Sequence, residues 1–598
     1  MGWEAWFAFG VVGVILFGLA TNRASDALLV GGVVAMGLAG ILSPAEMFAG
    51  FSNTGMLTVG ALYVVTAGLR ETGALQTIGD WVLGRARDER NVLRRLSGIT
   101  AMSAFLNNTP IVAMFIPIVE DWCRKHQVSP SRLLIPVSYF SILGGTCTLI
   151  GTSTNLVVNG LMVQAVKSDP GLAGQLYEMG IFELGRVGLP YAIVGTVFLL
   201  LAGPRLLPRR QGARERLDAT AREYLANMRI ETGCRLAGKR VEEAGLRRLA
   251  GLFLIDIWRE NRMIAPVGPD EVLKEGDILT FTGVVNNIVD LERIPGLVPF
   301  IDEDYEAQAA ARRHEMLCEA VVSRTSPLIN KTIRDANFRA RYNAAVVAVH
   351  RGGHRLQGRV GDIELQQGDT LLLQAGPHFV DAQRNNSDFF LVSGVNDSRA
   401  VRHDKALLSL GLLGMLILLM TTGKMEIVLA AFLVAGLMIG TRCVSVADAR
   451  RSVDWQTLIT IGAAFGLGTG LVNSGAVEVI AGKVVAAMGP WGPRAVLLGV
   501  YVMTALFTEI VTNNAAAAIM FPFAVAIAQG LGVDPRPFAM TIAFAASASF
   551  VTPLGYQTNL MVYGPGGYSL RDFVRIGLPL TLLLVATATL LVPIAWPF

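Results

Sequence analysis

Two blocks of long apolar runs flank a polar middle, and most of the runs approach the length that carries a helix across a bilayer, about 17–25 residues. In the first block they predict spans near 5–21, 26–42 and 55–71, an interrupted apolar region at 97–122, a long run at 131–165 and a last span at 184–203. In the second they predict spans near 405–422, 425–441 and 455–473, an interrupted region at 499–528, a long run at 536–564 and a last span at 572–594. The two series match element for element. Between them the pattern changes: apolar residues in FLIDIW and AAVVAVH are spaced as in strands, and Gly-Asp at 276–277 and 368–369 marks turns.

The interruptions carry matching residues. SAFLNNTPIVAMFIP ends at Pro117, and TEIVTNNAAAAIMFP ends at Pro522. The long runs hold a second pair, TLIGTSTNLVVNG at 148–160 and TPLGYQTNLMVYG at 552–564. One Asn pair in an apolar segment can be simple interhelical glue. Two pairs in register, each followed by a matched glycine-led break, predict an internal repeat. Loop cations set its orientation, because Lys and Arg favour the cytoplasmic side. Arg85, Arg87, Arg90, Arg94, Arg95, Arg124, Lys125, Arg132, Arg205, Arg209 and Arg210 fall on that side if the N-terminus lies outside, as do Arg442, Arg450, Arg451, Arg571 and Arg575. The middle segment is then cytoplasmic, both termini are outside, and the second block enters from the opposite face. The expected fold is an all-α polytopic membrane protein, an inverted repeat with a cytoplasmic α/β insert. Each repeat comprises three membrane helices, a re-entrant hairpin, a discontinuous helix and a last helix.

Inverted repeats with paired broken helices are the sequence sign of a secondary transporter. Unwound backbone is tolerated at membrane depth only where it lines a cavity or is buried in protein. Broken helix ends offer N–H groups to an anion, while carbonyl, amide and hydroxyl oxygens suit a hard cation. The motifs resemble those of the divalent anion/sodium symporter family, which carries Ser-Asn-Thr at each of two hairpin tips. The matching positions are Asn107-Asn108-Thr109 and Thr512-Asn513-Asn514, and the family's glycine-led break matches Gly151 to Asn155 and Gly555 to Asn559. The resemblance implies a first sodium site at Ser103, Asn107, Asn108 and Gly151, and a second at Thr508, Thr512, Asn513 and Gly555. It implies an oxyanion bound by Asn108, Thr109, Thr152, Ser153, Asn513, Asn514, Tyr556 and Gln557. It also implies an elevator motion against a dimeric scaffold in the plasma membrane, with sodium as coupling ion and no other cofactor.

The tips depart from Ser-Asn-Thr, and Ser153-Thr154 and Gln557-Thr558 stand where dicarboxylate carriers have Pro-Pro. The stretch SFVTPLGYQTNLMVYGPGGY (549–568) is closer to the sulfate-permease branch. Sulfate or another tetrahedral oxyanion is therefore expected ahead of a dicarboxylate or citrate, or export of a metalloid oxyanion. Glu509, beside the second tip, reads either as an ion or proton site or as a hydrogen-bonded structural carboxylate.

The insert carries a repeat of its own, at 236–283 and 328–375. Both copies resemble TrkA-C domains, which bind regulatory ligands in potassium channels and transporters. The Gly-x-Gly-x-x-Gly nucleotide fingerprint is absent. The insert reads as a ligand sensor or dimerisation clamp, or as an assembly module without a ligand. The expected boundaries are 1–204 and 405–598 for the membrane repeats and 205–295 and 296–404 for the insert. A TrkA-C pair also raises a regulated potassium channel or transporter subunit, but a TVGYG-like filter is missing.

Charge sharpens the boundaries. About 58 of the 98 charged residues lie between Arg205 and Lys405, a third of the chain. The chain as a whole is 52% hydrophobic and 16% charged, against roughly 25% charged in an ordinary soluble domain. A net charge of +4 does not point to nucleic acid. Cys123, Cys147, Cys234, Cys318 and Cys443 have neither CxxC spacing nor a disulfide framework, and no HExxH or GxSxG suggests an enzyme.

Overall fold

The computed structural model describes residues 2–20, 24–74, 79, 88–126, 128–208, 225–246, 252–260, 262–264, 267–268, 270–283, 294–300, 317–323, 326–351, 354–356, 360–375, 379, 383, 388–394 and 403–598. The chain forms two units. One comprises Met1–Arg209, Val401–Val562 and Ser569–Phe598; the other comprises Arg210–Ala400 and Tyr563–Tyr568.

The first unit is helical. It runs through α1 (Trp3–Ala20), α2 (Ser25–Leu38), a short α3 (Pro44–Phe48) and α4 (Thr54–Glu71). The amphipathic α5 (Glu89–Leu96) leads to a hairpin of α6 (Gly98–Ser103) and α7 (Asn108–His126). A broken helix follows, α8 (Leu134–Gly145) and α9 (Ser153–Ser168), and then α10 (Gly185–Leu206). After the second unit come α11 (Ala406–Thr422), α12 (Ile427–Gly440), the short α13 (Val446–Ser452), α14 (Trp455–Asn473) and α15 (Ala476–Met488). A second hairpin, α16 (Pro493–Thr508) and α17 (Asn513–Leu531), precedes a second broken helix, α18 (Arg536–Ser547) and α19 (Gln557–Tyr563), and a final α20 (Leu570–Ala595). Among the described residues, five segments are long and apolar enough to cross a membrane: Pro44–Glu71, Gly185–Leu206, Trp455–Asn473, Asn513–Leu531 and Leu570–Ala595. Five shorter apolar helices accompany them. This is a multi-pass membrane unit. The expected spans fall on these helices, except that α15 has no counterpart among them. Its 13 residues carry Glu478 and Lys483 and fall short of a full crossing.

Local chemistry explains the starts. Ser43 caps α3 through Glu46, and Ser445 caps α13 by accepting from the Asp448 N–H at 3.1 Å. The next helices open on Asn53, which accepts from the Gly55 N–H at 2.8 Å, and Asp454, which accepts from the Thr457 N–H at 3.0 Å. Such caps satisfy orphan amides at each helix end. The halves interlock: α2 packs on α14, α12 on α4, and α10 on α20. The close approach of α9 to α4 needs a bare backbone, since a Cβ on Gly55 would lie 2.2 Å from the Leu156 carbonyl oxygen.

The second unit holds two five-stranded sheets. The first uses β1 (Leu225–Ile230), β2 (Leu252–Arg259), β3 (Arg262–Ile264), β4 (Ile278–Gly283) and β5 (Leu297–Pro299) in the order β3-β2-β4-β1-β5. The second uses β6 (Leu317–Val322), β7 (Ala344–Arg351), β8 (His354–Arg355), β9 (Thr370–Ala375) and β10 (Phe389–Gly394) in the order β10-β6-β9-β7-β8. Read from its other end, the second order is the first. Both sheets are antiparallel and shift register at the same place, between Leu254 and Asp256 and between Val346 and Ala348. Gly276 and Gly368 take φ of 83° and 77°, the left-handed turn that glycine adopts without strain. The aspartates that follow are wholly buried and grip one arginine each. Arg259 Nε donates to Asp277 at 2.9 Å, and Arg351 Nε donates to Asp369 at 2.8 Å. Those carboxylates hold both guanidinium groups above the ordinary arginine range.

Candidate functional site

Each hairpin tip is a polar turn between two apolar arms, closed by one side-chain bond. Ser103 Oγ donates to Asn108 Oδ1 at 2.6 Å, and Thr508 Oγ1 donates to Asn513 Oδ1 at 3.0 Å. Ser103 and Thr508 are fully buried.

The helix breaks are held by the motif's last residue. Between α8 and α9, Asn155 Nδ2 donates to the carbonyls of Gly145 at 3.0 Å and Thr148 at 2.8 Å. Between α18 and α19, Asn559 Nδ2 donates to the carbonyls of Ser549 at 2.9 Å and Thr552 at 3.3 Å. Unwinding frees these carbonyls where no lipid can bond them, and one carboxamide satisfies two. The glycines are required by space. A Cβ on Gly151 would stand 3.0 Å from the Ser103 carbonyl oxygen, and one on Gly555 would stand 3.0 Å from that of Thr508 and 1.9 Å from Ser549 Oγ.

Tips and breaks then cross. Asn108 Nδ2 donates to Tyr556 Oη, which also lies 3.2 Å from Thr152 Oγ1. Thr109 Oγ1 donates to Gln557 Oε1 at 3.2 Å. Reciprocally, Ser153 Oγ and Thr154 Oγ1 donate to Asn514 Oδ1 at 3.2 and 3.3 Å. The first tip thus meets the second break, and the second tip meets the first. Of the expected anion ligands, Asn108, Thr109, Thr152, Tyr556 and Gln557 form one cluster, and Ser153 and Asn514 form the other. Asn513 accepts from Thr508 and also bonds to Tyr556, so it joins the first cluster. Of the expected cation ligands, Ser103, Asn108 and Gly151 meet at the first tip, and Thr508, Asn513 and Gly555 meet at the second. Asn107 instead lines a cavity with Val59, Leu62 and Ser153. Among the described residues, the buried Thr512 Oγ1 has no hydrogen-bond partner.

Sequence reasoning missed two serines of α8. Ser138 Oγ lies 2.8 Å from Thr558 Oγ1 and 2.7 Å from Asn559 Oδ1, with its one hydrogen to share between them. Ser141 Oγ lies 3.1 Å from Ser103 Oγ. They stand three residues apart in the wholly buried LIPVSYFSILGG, so they share one helix face. That spacing was the available signal. Glu509 is a hydrogen-bonded carboxylate: Oε1 accepts from the Val551 N–H at 3.0 Å, and Oε2 accepts from the Thr552 N–H at 2.9 Å and the Thr552 hydroxyl at 2.6 Å.

Apolar helices enclosing two broken ones, with amides and hydroxyls crossing between them, define a membrane transporter and not an enzyme. Residues 11–543 and 492–598 match the model of the citrate transporter family, CitMHS, and the chain belongs to that family. A Chlamydomonas reinhardtii protein with the provisional name sulfur deprivation response regulator is 36% identical, over 91% of this chain and 93% of its own length. An uncharacterized transporter of Synechocystis is 34% identical, over 92% of this chain and 90% of its own. Sodium/sulfate cotransporter 1 of Chlamydomonas reinhardtii is 28% identical, over 92% of this chain and 84% of its own. The resemblance drawn from the tip and break motifs is borne out at the level of the family.

Proposed function

We propose that the chain imports sulfate or a similar small oxyanion together with sodium. The observation that carries this reading is the crossing of each hairpin tip to the opposite break. It gathers hydroxyl and amide groups of Asn108, Thr109, Thr152, Tyr556 and Gln557 at one place. Such groups donate to an oxyanion without a fixed cation to hold it too tightly. The names of the sodium/sulfate cotransporter relatives support both the anion and the coupling ion.

The two halves are read as an inverted repeat working as an elevator, in a plasma-membrane homodimer with both termini outside. Matched capping residues, matched tip bonds and matched Asn clasps support the repeat. Residues 205–295 and 296–404 are read as two cytoplasmic TrkA-C-like domains that bind a small regulatory ligand. The shared strand order and shared Arg–Asp pairs support two copies of one module. The test is uptake of radiolabelled sulfate into proteoliposomes with and without an inward sodium gradient, challenged by succinate, citrate and thiosulfate. Sodium-dependent uptake resisting dicarboxylates is the expected result. The family's citrate description favours a second reading, a citrate or dicarboxylate carrier. Citrate or succinate uptake without sulfate uptake would establish it.

A further inference from the structure

The two long-run motifs of the repeat end on matched glycines, Gly160 and Gly564, each five residues beyond the clasping Asn155 or Asn559. Both positions need a bare backbone, because a polar side chain bears on each. A Cβ on Gly160 would overlap Asn53 Oδ1, and one on Gly564 would overlap Thr370 Oγ1. Asn53 caps α4, and its Nδ2 also donates to the Gly160 carbonyl at 3.1 Å. The first broken helix is thus seated on a membrane helix. The seat that follows the second broken helix is of another kind, because Thr370 opens strand β9 of the insert.

The partition of the chain agrees with that contact. Tyr563–Tyr568 belongs to the second unit, together with the insert, although the residues on either side of it belong to the helical unit. The segment is a closed turn. The Gly567 N–H donates to the Gly564 carbonyl at 2.8 Å, the Tyr568 N–H donates to that of Tyr563 at 3.1 Å, and Gly567 takes φ of 62°. Thr370 is equally fixed: it is buried, and its neighbour Asp369 is held by Arg351. Among the described residues its hydroxyl has no hydrogen-bond partner. The first copy of the module has Ile278 at the matching place. Packed pieces of low compressibility transmit a displacement. From this turn back to Tyr556 and Gln557 there is only α19, Gln557–Tyr563, about 10 Å of helix.

We propose that Thr370 is a positioning residue for the anion site: the second module of the insert bears on Gly564 and, through α19, sets where Tyr556 and Gln557 meet Asn108 and Thr109. A change in the insert is then read at the site as a change in anion affinity. The inference rests on the anion-binding reading above, and it gives the insert a route to that site.

The test compares full-length wild-type protein with Gly564→Ala, Thr370→Ala and the double variant. Two readouts are taken: hydrogen exchange in detergent and sulfate uptake into proteoliposomes. Gly564→Ala drives a methyl against Thr370, so exchange should speed up over 557–563 while 153–160 keeps its rate. Half-saturation by sulfate should rise by about threefold or more, the loss of one hydrogen bond at the site. Maximal uptake and half-saturation by sodium should stay unchanged. Adding Thr370→Ala removes the struck atom and should restore most of both readouts. A Gly564→Ala defect confined to maximal uptake, or one that Thr370→Ala does not relieve, would overturn the inference. Exchange that responds as expected in a protein that takes up no sulfate would instead overturn the anion reading and uphold the contact. If Gly564→Ala does not fold, Thr370→Ala alone decides: exchange over 557–563 and half-saturation identical to wild type would overturn the inference.

Discussion

The two helix breaks are clasped alike and furnished differently. Asn155 and Asn559 each bridge two freed carbonyls, and Gly151 and Gly555 each let the tip's carbonyl approach. What faces those frames differs at two of three positions. The first break presents Thr152 and Ser153 where the second presents Tyr556 and Gln557, while Thr154 and Thr558 match. The frame answers a constraint common to both, backbone polarity inside a membrane. On the proposed reading, the furnishing answers the substrate.

The largest expected effect breaks the shared frame. Asn155→Ala and Asn559→Ala each strip two buried carbonyls of their donor, at about 1–3 kcal/mol per unsatisfied group. Both variants should lose most of their folded protein in size-exclusion profiles of detergent extracts. Loss from one and tolerance of the other would show that the breaks are not equivalent frames. Next come the tips. Asn108→Ala and Asn513→Ala should abolish anion uptake while extraction and elution stay normal, because each tip retains its helices. Uptake by either variant would remove that residue from the site.

Much of this arrangement was legible in the chain. The turn at 104–107 falls inside a region that the apolar pattern marks as interrupted, and the turn at 146–152 falls where the glycine-led motif breaks a long run. The Gly-Asp steps foretold the turns before β4 and β9, because only a left-handed residue fits there. The crossing of tips to opposite breaks was not legible from spacing. Its partners stand in different halves of the chain, and hydrophobic periodicity carries no information about pairing at that range. The α8 serines were overlooked for the opposite reason. Ser138 and Ser141 sit in so apolar a run that only its length and its glycine-led break stand out, and its polar face does not.

A smaller effect tests the space around the breaks. Gly555→Ala drives a methyl into Ser549 Oγ, whereas Gly151→Ala meets the Gly145 carbonyl oxygen at 2.7 Å. Each should cut uptake by about fivefold or more, since overpacking costs about 1–3 kcal/mol. Adding Ser549→Ala removes the side-chain atom that the Gly555 methyl strikes. Thermal stability in the double variant should recover part of what Gly555→Ala lost. No side-chain deletion can relieve Gly151→Ala, because its obstacle is backbone. Equal recovery at both breaks would contradict the distances.

The smallest effects concern the crossing bonds. Tyr556→Phe keeps the ring and removes the hydroxyl that accepts from Asn108 and approaches Thr152. A single hydrogen bond contributes about 0.5–1.5 kcal/mol net, so apparent anion affinity in uptake should fall about three- to tenfold, with half-saturation by sodium unchanged. The reciprocal crossing is redundant: Asn514 Oδ1 accepts from both Ser153 and Thr154. Ser153→Ala leaves Thr154 in place and should weaken anion affinity by about twofold or less, since the acceptor stays satisfied. The ranking is the informative quantity. If Ser153→Ala costs more than Tyr556→Phe, the anion leans on the first break, and the tyrosine is packing that happens to reach a tip.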